Sequence, residues 1–312
     1  MKIRICIISL VGLLSISLSS CKSGQKKSET EATSPATPKT EVITEGIRFC
    51  ESTYPYKGGL LIANFGTDEL NPLNGEGKGY ILYYKDAKLQ TMIPADGHLN
   101  APKGMYEKAG YLFICDVNKI VVYNLNNPER GPQTIRFSEN DLFVNDLAAV
   151  GETLYASVTN TGKIYTIDIS DLTALDKVIP KAWCDVIGAN GIIIDGNTMY
   201  IASYPADGNT TPDNVIYRIS DLSVPQPEKF TTEAGQYDGI ALSADKKTLY
   251  VTNWVPAGVY SIDMATKKQD FVKLNTSVIG AADMSLVDGV LYVPDLPNSQ
   301  VVVHTFHLSQ LK

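Results

Sequence analysis

Short apolar runs separated by turn-forming residues recur along this chain. Residues 237–263 give the clearest copy, which contains three apolar pairs: Ile240 and Leu242, Leu249 and Val251, Val259 and Ile262. Spacing close to two residues is typical of β-strands. The polar stretch 243–247 and the Pro-Ala-Gly stretch 256–258 separate the pairs and predict turns. The segment therefore predicts three short strands, a unit too small to be stable alone in water.

The middle strand of this unit has counterparts throughout the chain. The six copies are residues 60–64, 112–116, 154–158, 199–203, 249–253 and 291–295. Each is followed by a loop and a third apolar strand. A period of about 40–50 residues is typical of a β-propeller, with one four-stranded sheet for each repeat. The chain has 312 residues, 44% of them hydrophobic, which is enough for one large core.

The last repeat lacks a clear fourth strand. We expect the N-terminal segment 41–49 to supply that strand and to close the ring, which removes free sheet edges. The predicted fold is therefore all-β, a six-bladed β-propeller over residues 41–312 with an N-terminal strand closing the last blade.

One position recurs near the start of each predicted first strand. It lies nine residues before the middle strand, or eleven in the fifth repeat, whose turn is longer. First strands line the axis of a propeller, so equivalent positions form a ring around it. That ring contains Glu51, Lys103, Asn145, Asn190, Asp238 and Ala282. Most of these residues are polar or charged, although core-facing positions are usually apolar.

Two carboxylates and two amide oxygens that converge on one point form a site for a hard cation. Glu51, Asn145, Asn190 and Asp238 supply such oxygens, which suit Ca²⁺, or Mg²⁺ and Mn²⁺ with waters completing the coordination. The alternative is a water-filled channel whose polar groups bind water and one another.

The first 20 residues have the features of a bacterial signal peptide. A basic start at residues 1–4 precedes an apolar core, 6–18, that is too short to span a membrane comfortably. Leu-Ser-Ser-Cys at 18–21 resembles a lipobox, in which the chain is cut before Cys21 and that cysteine receives lipid. An ordinary signal peptide with a chance cysteine is the alternative. The resemblance implies a lipid-anchored protein of the cell envelope, and Lys22 favours the outer membrane.

The remaining composition sets limits on partners. Residues 21–40 are rich in Ser, Thr, Lys, Glu and Pro, which predicts a disordered tether. The formal net charge is −7, so nothing favours binding to nucleic acid. Three cysteines remain in the predicted propeller, Cys50, Cys115 and Cys184, and an odd count argues against a disulfide framework. A bond between Cys50 and Cys184 stays open.

The ring resembles the metal site of the senescence marker protein and gluconolactonase family. Members are six-bladed propellers with one axial divalent cation, and paraoxonases and strictosidine synthase are more distant relatives. The family uses Glu in the first blade, Asn in the third and fourth, and Asp in the fifth. The matching motifs here are Cys50-Glu51-Ser52, Asn145-Asp146, Asn190-Gly191 and Asp238-Gly239.

The resemblance covers residues 51–308 and implies one divalent cation, with Ca²⁺ first and Mg²⁺, Mn²⁺ or Zn²⁺ as alternatives. The chain departs from the family pattern in the first blade, where no Gly precedes Glu51 and Pro55 comes late. Leu147 follows Asp146 where a Gly is common, and Lys103 stands where many metal-binding relatives have an uncharged residue.

The resemblance also implies an activity, the hydrolysis of a lactone or sugar-derived ester. The cation would polarise a carbonyl or phosphoryl oxygen and lower the pKa of a water. Asp238 or Lys103 would then move the proton. In the paraoxonase-like branch, the position of Lys103 carries a His proposed as a base. Three other interpretations of Lys103 stay open: it replaces part of the cation's charge, pairs with Asp116 or Asp283, or binds an anionic substrate.

The loops after the middle strands should form the rim of this site. We expect substrate contacts from residues that end these strands, with two aromatic residues as platforms for a sugar ring: Asn64, Asp116, Asn253, Asp295, Tyr204 and Trp254. Ordinary packing at the rim is the alternative for the two aromatics.

Other functions stay open. A propeller without catalysis would bind a glycan, a peptide or an envelope protein, and the strictosidine synthase branch suggests carbon–carbon bond formation or group transfer. The sequence has no Gly-x-Ser-x-Gly motif and no phosphate-binding loop. The protein is expected to be a monomer. As a hydrolase it would bind a lactone or carbohydrate. Its lipid would attach it to the membrane.

Overall fold

A computed structural model describes residues 40–274 and 276–306. Within these residues, 24 strands form six four-stranded antiparallel sheets, which confirms the predicted six-bladed propeller. The predicted signal peptide, Cys21 and residues 21–39 of the predicted tether lie outside the described residues.

The strands follow one another from the axis outward in each of the first five blades. Blades one to three contain β2 Cys50–Tyr56, β3 Gly59–Asn64, β4 Tyr80–Lys85, β5 Lys88–Ile93; β6 Met105–Lys108, β7 Tyr111–Asp116, β8 Lys119–Asn124, β9 Gln133–Arg136; β10 Val144–Val150, β11 Thr153–Val158, β12 Lys163–Asp168, β13 Lys181–Asp185. Blades four and five contain β14 Ala189–Asp195, β15 Thr198–Ser203, β16 Tyr217–Ile219, β17 Glu228–Lys229; β18 Tyr237–Leu242, β19 Thr248–Trp254, β20 Ala257–Asp263, β21 Gln269–Val272.

The sixth blade joins the two ends of the described chain. It contains β22 Ser285–Val287, β23 Val290–Asp295, β24 Gln300–Thr305 and, as its outer strand, β1 Thr40–Ile43. Strand β1 pairs antiparallel with β24, with Val42 opposite Val302. The N-terminal closure predicted from the missing fourth strand is therefore confirmed.

The core lies between adjacent blades. Strands β3, β7, β11 and β15 each bury five consecutive residues, because each sheet is covered on both faces by its neighbours. This explains why the middle strands were the clearest repeat in the sequence, since burial on both faces selects continuous apolar runs. Full burial of one Leu or Ile side chain stabilises the fold by about 1.5–3 kcal/mol.

Glycines allow the first strands to approach one another closely at the axis. A Cβ atom on Gly191 would lie 2.3 Å from the Asp238 carbonyl oxygen, and one on Gly239 would lie 2.4 Å from the Met284 nitrogen. The small residue that follows several ring positions is therefore required by the narrow centre of the propeller, and it fixes the distance between the ring residues.

Helical structure is minor in the described chain. It consists of three short 3-10 helices, Pro128–Arg130, Leu175–Lys177 and Leu296–Asn298. Within the described residues, the structure contains no helix with the length and apolar character needed to cross a membrane. Cys50, Cys115 and Cys184 are free thiols.

Candidate functional site

The ring residues meet in one cavity on the propeller axis. The cavity has a volume of about 370 Å³, and its floor is formed by Glu51, Lys103, Asn145, Asn190 and Asp238. Each of these five side chains is at most 5% exposed. The structure therefore brings together all four sequence-predicted cation ligands and Lys103, although they come from five different blades.

A β-bulge directs each of the four predicted ligands toward the axis. The pairing between first and second strands skips a residue at Glu51, and skips two at Asn145, Asn190 and Asp238. A bulge bends its strand and changes the direction of a side chain, which is common next to functional sites. The four residues thus share a local backbone irregularity as well as a position in the repeat.

Each of the four predicted ligands has a buried oxygen with no hydrogen-bond partner among the described residues. These atoms are Glu51 Oε2, Asn145 Oδ1, Asn190 Oδ1 and Asp238 Oδ1. Buried polar atoms in proteins are nearly always paired, since an unpaired one costs about 1–3 kcal/mol. Two carboxylate and two amide oxygens, all unpaired and facing one cavity, form a donor set that fits a hard divalent cation such as Ca²⁺.

The other oxygen of Asp238 is held in place. The indole Nε1 of Trp254 donates a hydrogen bond of 2.8 Å to Asp238 Oδ2, so Oδ1 is the oxygen left free. Outer contacts of this kind orient the ligands of metal sites. Trp254 is itself fixed by an edge-to-face contact with Tyr204, whose ring centroid lies 6.0 Å away.

The electrostatics of the floor favour a cation. Burial raises the pKa of Glu51 well above its ordinary value, the Asp238 carboxylate adds to this rise, and Lys103 opposes it. Burial also raises the pKa of Asp238 to about 7, although the hydrogen bond from Trp254 lowers it. The carboxylates are therefore hard to ionise in the site by themselves, and a bound divalent cation would stabilise their ionised forms.

Lys103 is held by main-chain oxygens. Its Nζ donates to the Ala101 carbonyl at 2.8 Å and to the Pro72 carbonyl at 3.4 Å, and it lies 5.4 Å from the Phe65 ring centroid. These contacts place a fixed positive charge at the edge of the floor, where it acts electrostatically on Glu51 and Asp238.

The two aspartates predicted as possible partners of Lys103, Asp116 and Asp283, have other partners. Asp116 Oδ2 lies 3.4 Å from Lys119 Nζ, and Asp283 Oδ2 accepts a 2.5 Å hydrogen bond from the Ser52 hydroxyl. The charge of Lys103 is therefore directed at the ring rather than at either of these carboxylates.

The polar residues that end the middle strands bind backbone instead of lining the cavity. Asn64 Oδ1 accepts from the Arg48 amide, Asp116 from the Asn100 and Ala101 amides, Asn253 from the Gln236 amide, and Asp295 from the Ile279 and Gly280 amides. All four are buried, and none is among the described residues that line the axial cavity. Each one anchors the loop that enters its blade.

The residue after the middle-strand end is the one that faces the cavity. Side chains alternate along a strand, so a shift of one residue reverses the direction in which they point. The residues at this position that line the cavity are Phe65, Thr159, Tyr204, Trp254 and Leu296. Tyr204 and Trp254 were predicted here, whereas Phe65, Thr159 and Leu296 were not, although the same repeat position marked them.

Two further features of the cavity were not predicted. The Thr159 hydroxyl is buried and has no hydrogen-bond partner within the described chain. Phe143, in the loop before β10, also lines the cavity. We use the term apolar wall for Phe65, Phe143, Tyr204, Trp254 and Leu296, which stand above the polar floor.

No protein-family model matches this chain, and no curated protein matches it significantly. Solved structures do match. A gluconolactonase from Xanthomonas campestris is similar with a TM-score of 0.62 over 86% of this chain and 89% of its own, at 12% identity. Virginiamycin B lyase from Staphylococcus aureus, an inactive variant solved with quinupristin, is similar with a TM-score of 0.55 over 87% of this chain and 100% of its own, at 12% identity.

A third similar structure is a protein of unknown function from Bacteroides thetaiotaomicron. Its TM-score is 0.55 over 86% of this chain and 76% of its own, at 10% identity. Identities this low show a shared propeller fold alone. Because a hydrolase and a lyase both occur among these proteins, the activity has to be argued from the site.

Proposed function

We propose that this protein is a divalent-cation-dependent hydrolase that acts on a lactone or another ester, with the cation on the propeller axis. The observation that carries the proposal is the set of four unpaired, buried oxygens on Glu51, Asn145, Asn190 and Asp238, which face one cavity. A water-filled channel would also leave polar atoms without protein partners, but two carboxylates and two amides that line one cavity form the oxygen donor set that a hard cation prefers.

The four ring residues with unpaired oxygens are the proposed cation ligands. Glu51, Asn145, Asn190 and Asp238 would hold the cation, and Ca²⁺ is the ion that such neutral and charged oxygens suit best. When bound, the ion would supply Lewis acidity toward a substrate carbonyl oxygen. Mg²⁺, Mn²⁺ and Zn²⁺ are the alternatives to be tested against it.

Proton transfer is assigned to Asp238 rather than Lys103, on geometric grounds. The Lys103 Nζ already donates to the Ala101 and Pro72 carbonyls, whereas Asp238 Oδ1 has two lone pairs and no protein partner, so that one lone pair could hold the cation and the other could accept a proton. The Lys103 ammonium would instead stabilise the negative charge that develops on the substrate oxygen during hydrolysis. Trp254 would keep the Asp238 carboxylate in a fixed orientation.

The envelope location belongs to the proposal as well. It depends on the lipobox-like residues 18–21 and on Cys21. A lipid anchor of two or more acyl chains would hold the propeller at a membrane surface.

The test is hydrolysis of a panel of lactones and aryl esters, with Ca²⁺ and after removal of Ca²⁺ by a chelator. Wild type should hydrolyse at least one substrate only when Ca²⁺ is present. Asp238→Asn should lower kcat/KM by about a hundredfold or more, since it affects both cation binding and proton transfer. Asp185→Asn, on the exposed outer strand β13, is the matched control and should keep full activity.

Two results would contradict the proposal. Hydrolysis that survives chelation and also survives Asp238→Asn would exclude this site as the active site. Ca²⁺ binding without hydrolysis of any substrate would favour the alternative from the sequence, a propeller that binds its ligand without chemistry.

A further inference from the structure

The cavity changes character above its floor. The ring at the floor is polar, whereas the apolar wall of Phe65, Phe143, Tyr204, Trp254 and Leu296 has few groups left for hydrogen bonding. The Trp254 indole N–H is already donated to Asp238, so the Tyr204 and Thr159 hydroxyls are the side-chain groups of this region that remain for hydrogen bonding. A sugar derivative carries a hydroxyl on nearly every carbon, and most of these would lose water here without gaining a partner.

Phe143 adds an independent observation. Its φ is 59°, in the left-handed region that Gly and Asn adopt readily and that bulky side chains avoid. An aromatic residue at such a position costs stability, and costs of this kind concentrate at functional sites. Asn at position 143 would relieve this strain, but the chain has Phe there, and the Phe ring lines the cavity.

Apolar side chains continue outward from the wall onto the surrounding loops. Val255 is 63% exposed, Ile279 57%, Ile187 49%, and Leu70 and Leu73 39% each. These residues lie in loops that join second to third strands or that lead into first strands, so they occupy the same end of the propeller as the cavity mouth. The polar floor therefore opens through an apolar wall to an apolar rim.

We infer that the substrate carries an apolar substituent, an alkyl or aryl group on the lactone or ester, that lies against Phe65, Phe143, Tyr204, Trp254 and Leu296 while its carbonyl group meets the polar floor. Thr159 supplies one hydrogen bond at the junction of the two regions. This inference rests on the proposed hydrolase function and narrows it, because it excludes polyhydroxylated sugar lactones as the preferred class.

The test measures binding separately from catalysis. The probes are lactams, which are hydrolysed far less readily than lactones, with methyl, hexyl or decyl side chains, and the polyhydroxylated lactam of gluconic acid. The protein is the full chain in saturating Ca²⁺ with Trp183→Phe, which leaves Trp254 as the sole tryptophan and the fluorescent reporter of the cavity.

Affinity should rise about fourfold for each methylene until the cavity is filled. The hydroxylated lactam should bind more weakly than the hexyl lactam by about tenfold or more. Phe143→Asn should keep or raise the melting temperature, lower affinity for the decyl lactam by about tenfold, and leave affinity for the methyl lactam unchanged. Ala109→Asn is the matched control, since Ala109 also has a positive φ, 52°, but is exposed and does not line the cavity.

The inference is overturned if affinity does not depend on chain length, or if the hydroxylated lactam binds as tightly as the hexyl lactam. It is also overturned if Phe143→Asn folds normally and binds the decyl lactam as wild type does. Chain-length-dependent binding without hydrolysis of the corresponding lactones would refute the hydrolase and support the apolar substituent. Hydrolysis restricted to hydroxylated lactones would support the hydrolase and refute the substituent.

Discussion

Substitution of Trp254 by Phe isolates one hydrogen bond beside the proposed cation. The change removes the indole Nε1 that donates to Asp238 Oδ2 at 2.8 Å, and it keeps an aromatic ring beside Tyr204. Without this donor, the Asp238 carboxylate loses its fixed orientation and Oδ2 loses a buried partner. We therefore expect weaker cation binding rather than loss of the fold.

The size of the effect follows from the nature of this bond. A hydrogen bond to a charged group contributes about 1.5–3 kcal/mol. At about 1.4 kcal/mol for each factor of ten, this corresponds to a loss of roughly 10- to 100-fold in affinity for Ca²⁺. Removal of an outer contact from a metal ligand typically has an effect of the same size.

Calorimetric titration with Ca²⁺ measures this loss directly. Trp183→Phe is the control, because Trp183 packs on Tyr155 outside the axial cavity and its substitution should leave Ca²⁺ affinity within about twofold. In an Asp238→Asn background, Trp254→Phe should cause little further loss, since the indole acts through Asp238. An unchanged affinity in Trp254→Phe, with the fold intact, would refute this role of Trp254.

Three further predictions concern stability and location. Burial raises the pKa of Asp146 and of Asp238 to about 7, above their unfolded value near 4, so the folded, cation-free protein binds more protons than the unfolded chain between these values. In urea unfolding with a chelator, the free energy of unfolding should therefore fall as the pH rises from about 4 to 7. Saturating Ca²⁺ should reduce this loss. A free energy of unfolding that rises over this range without Ca²⁺ would contradict the raised pKa values of these buried carboxyls. Gly239→Ala places a Cβ atom 2.4 Å from the Met284 nitrogen and should lower the free energy of unfolding, measured by chemical denaturation, by about 1–3 kcal/mol. Gly75→Ala is the control, because its Cβ meets no atom within 4 Å and stability should not change. Equal effects of the two changes would contradict the close approach of the first strands. Cys21→Ala should release the protein from the membrane fraction of a bacterial host, and a variant that stays there would refute lipidation at this residue.

The fold and the floor of the site could be predicted because both repeat. Burial between blades imposes the same apolar run on each middle strand. Counting back from these runs showed that Glu51, Asn145, Asn190 and Asp238 occupy equivalent positions in their repeats. The β-bulges at these positions were not predictable, because a bulge depends on the pairing of two strands rather than on the residues of one.

The rim was less predictable for a geometric reason. Asn64, Asp116, Asn253 and Asp295 end their strands and look like ligand contacts, but alternation directs them to the backbone of entering loops. The contacts of Lys103 with Pro72, 31 residues away on an insertion, and the left-handed backbone of Phe143 depend on loop conformation, which no periodic pattern encodes.

Ca²⁺ binding by the chelator-treated protein, measured by calorimetry and by thermal unfolding, is the most direct test of the proposed cation site. Wild type should bind one axial Ca²⁺, and Ca²⁺ at a hundred times its dissociation constant should raise the free energy of unfolding by about 2.7 kcal/mol. Asn190→Leu and Asp238→Asn should each abolish most of this stabilisation, and Asp185→Asn should keep it. A wild-type protein that binds no Ca²⁺, Mg²⁺, Mn²⁺ or Zn²⁺, and whose unfolding does not change with any of them, would contradict the proposed cation site.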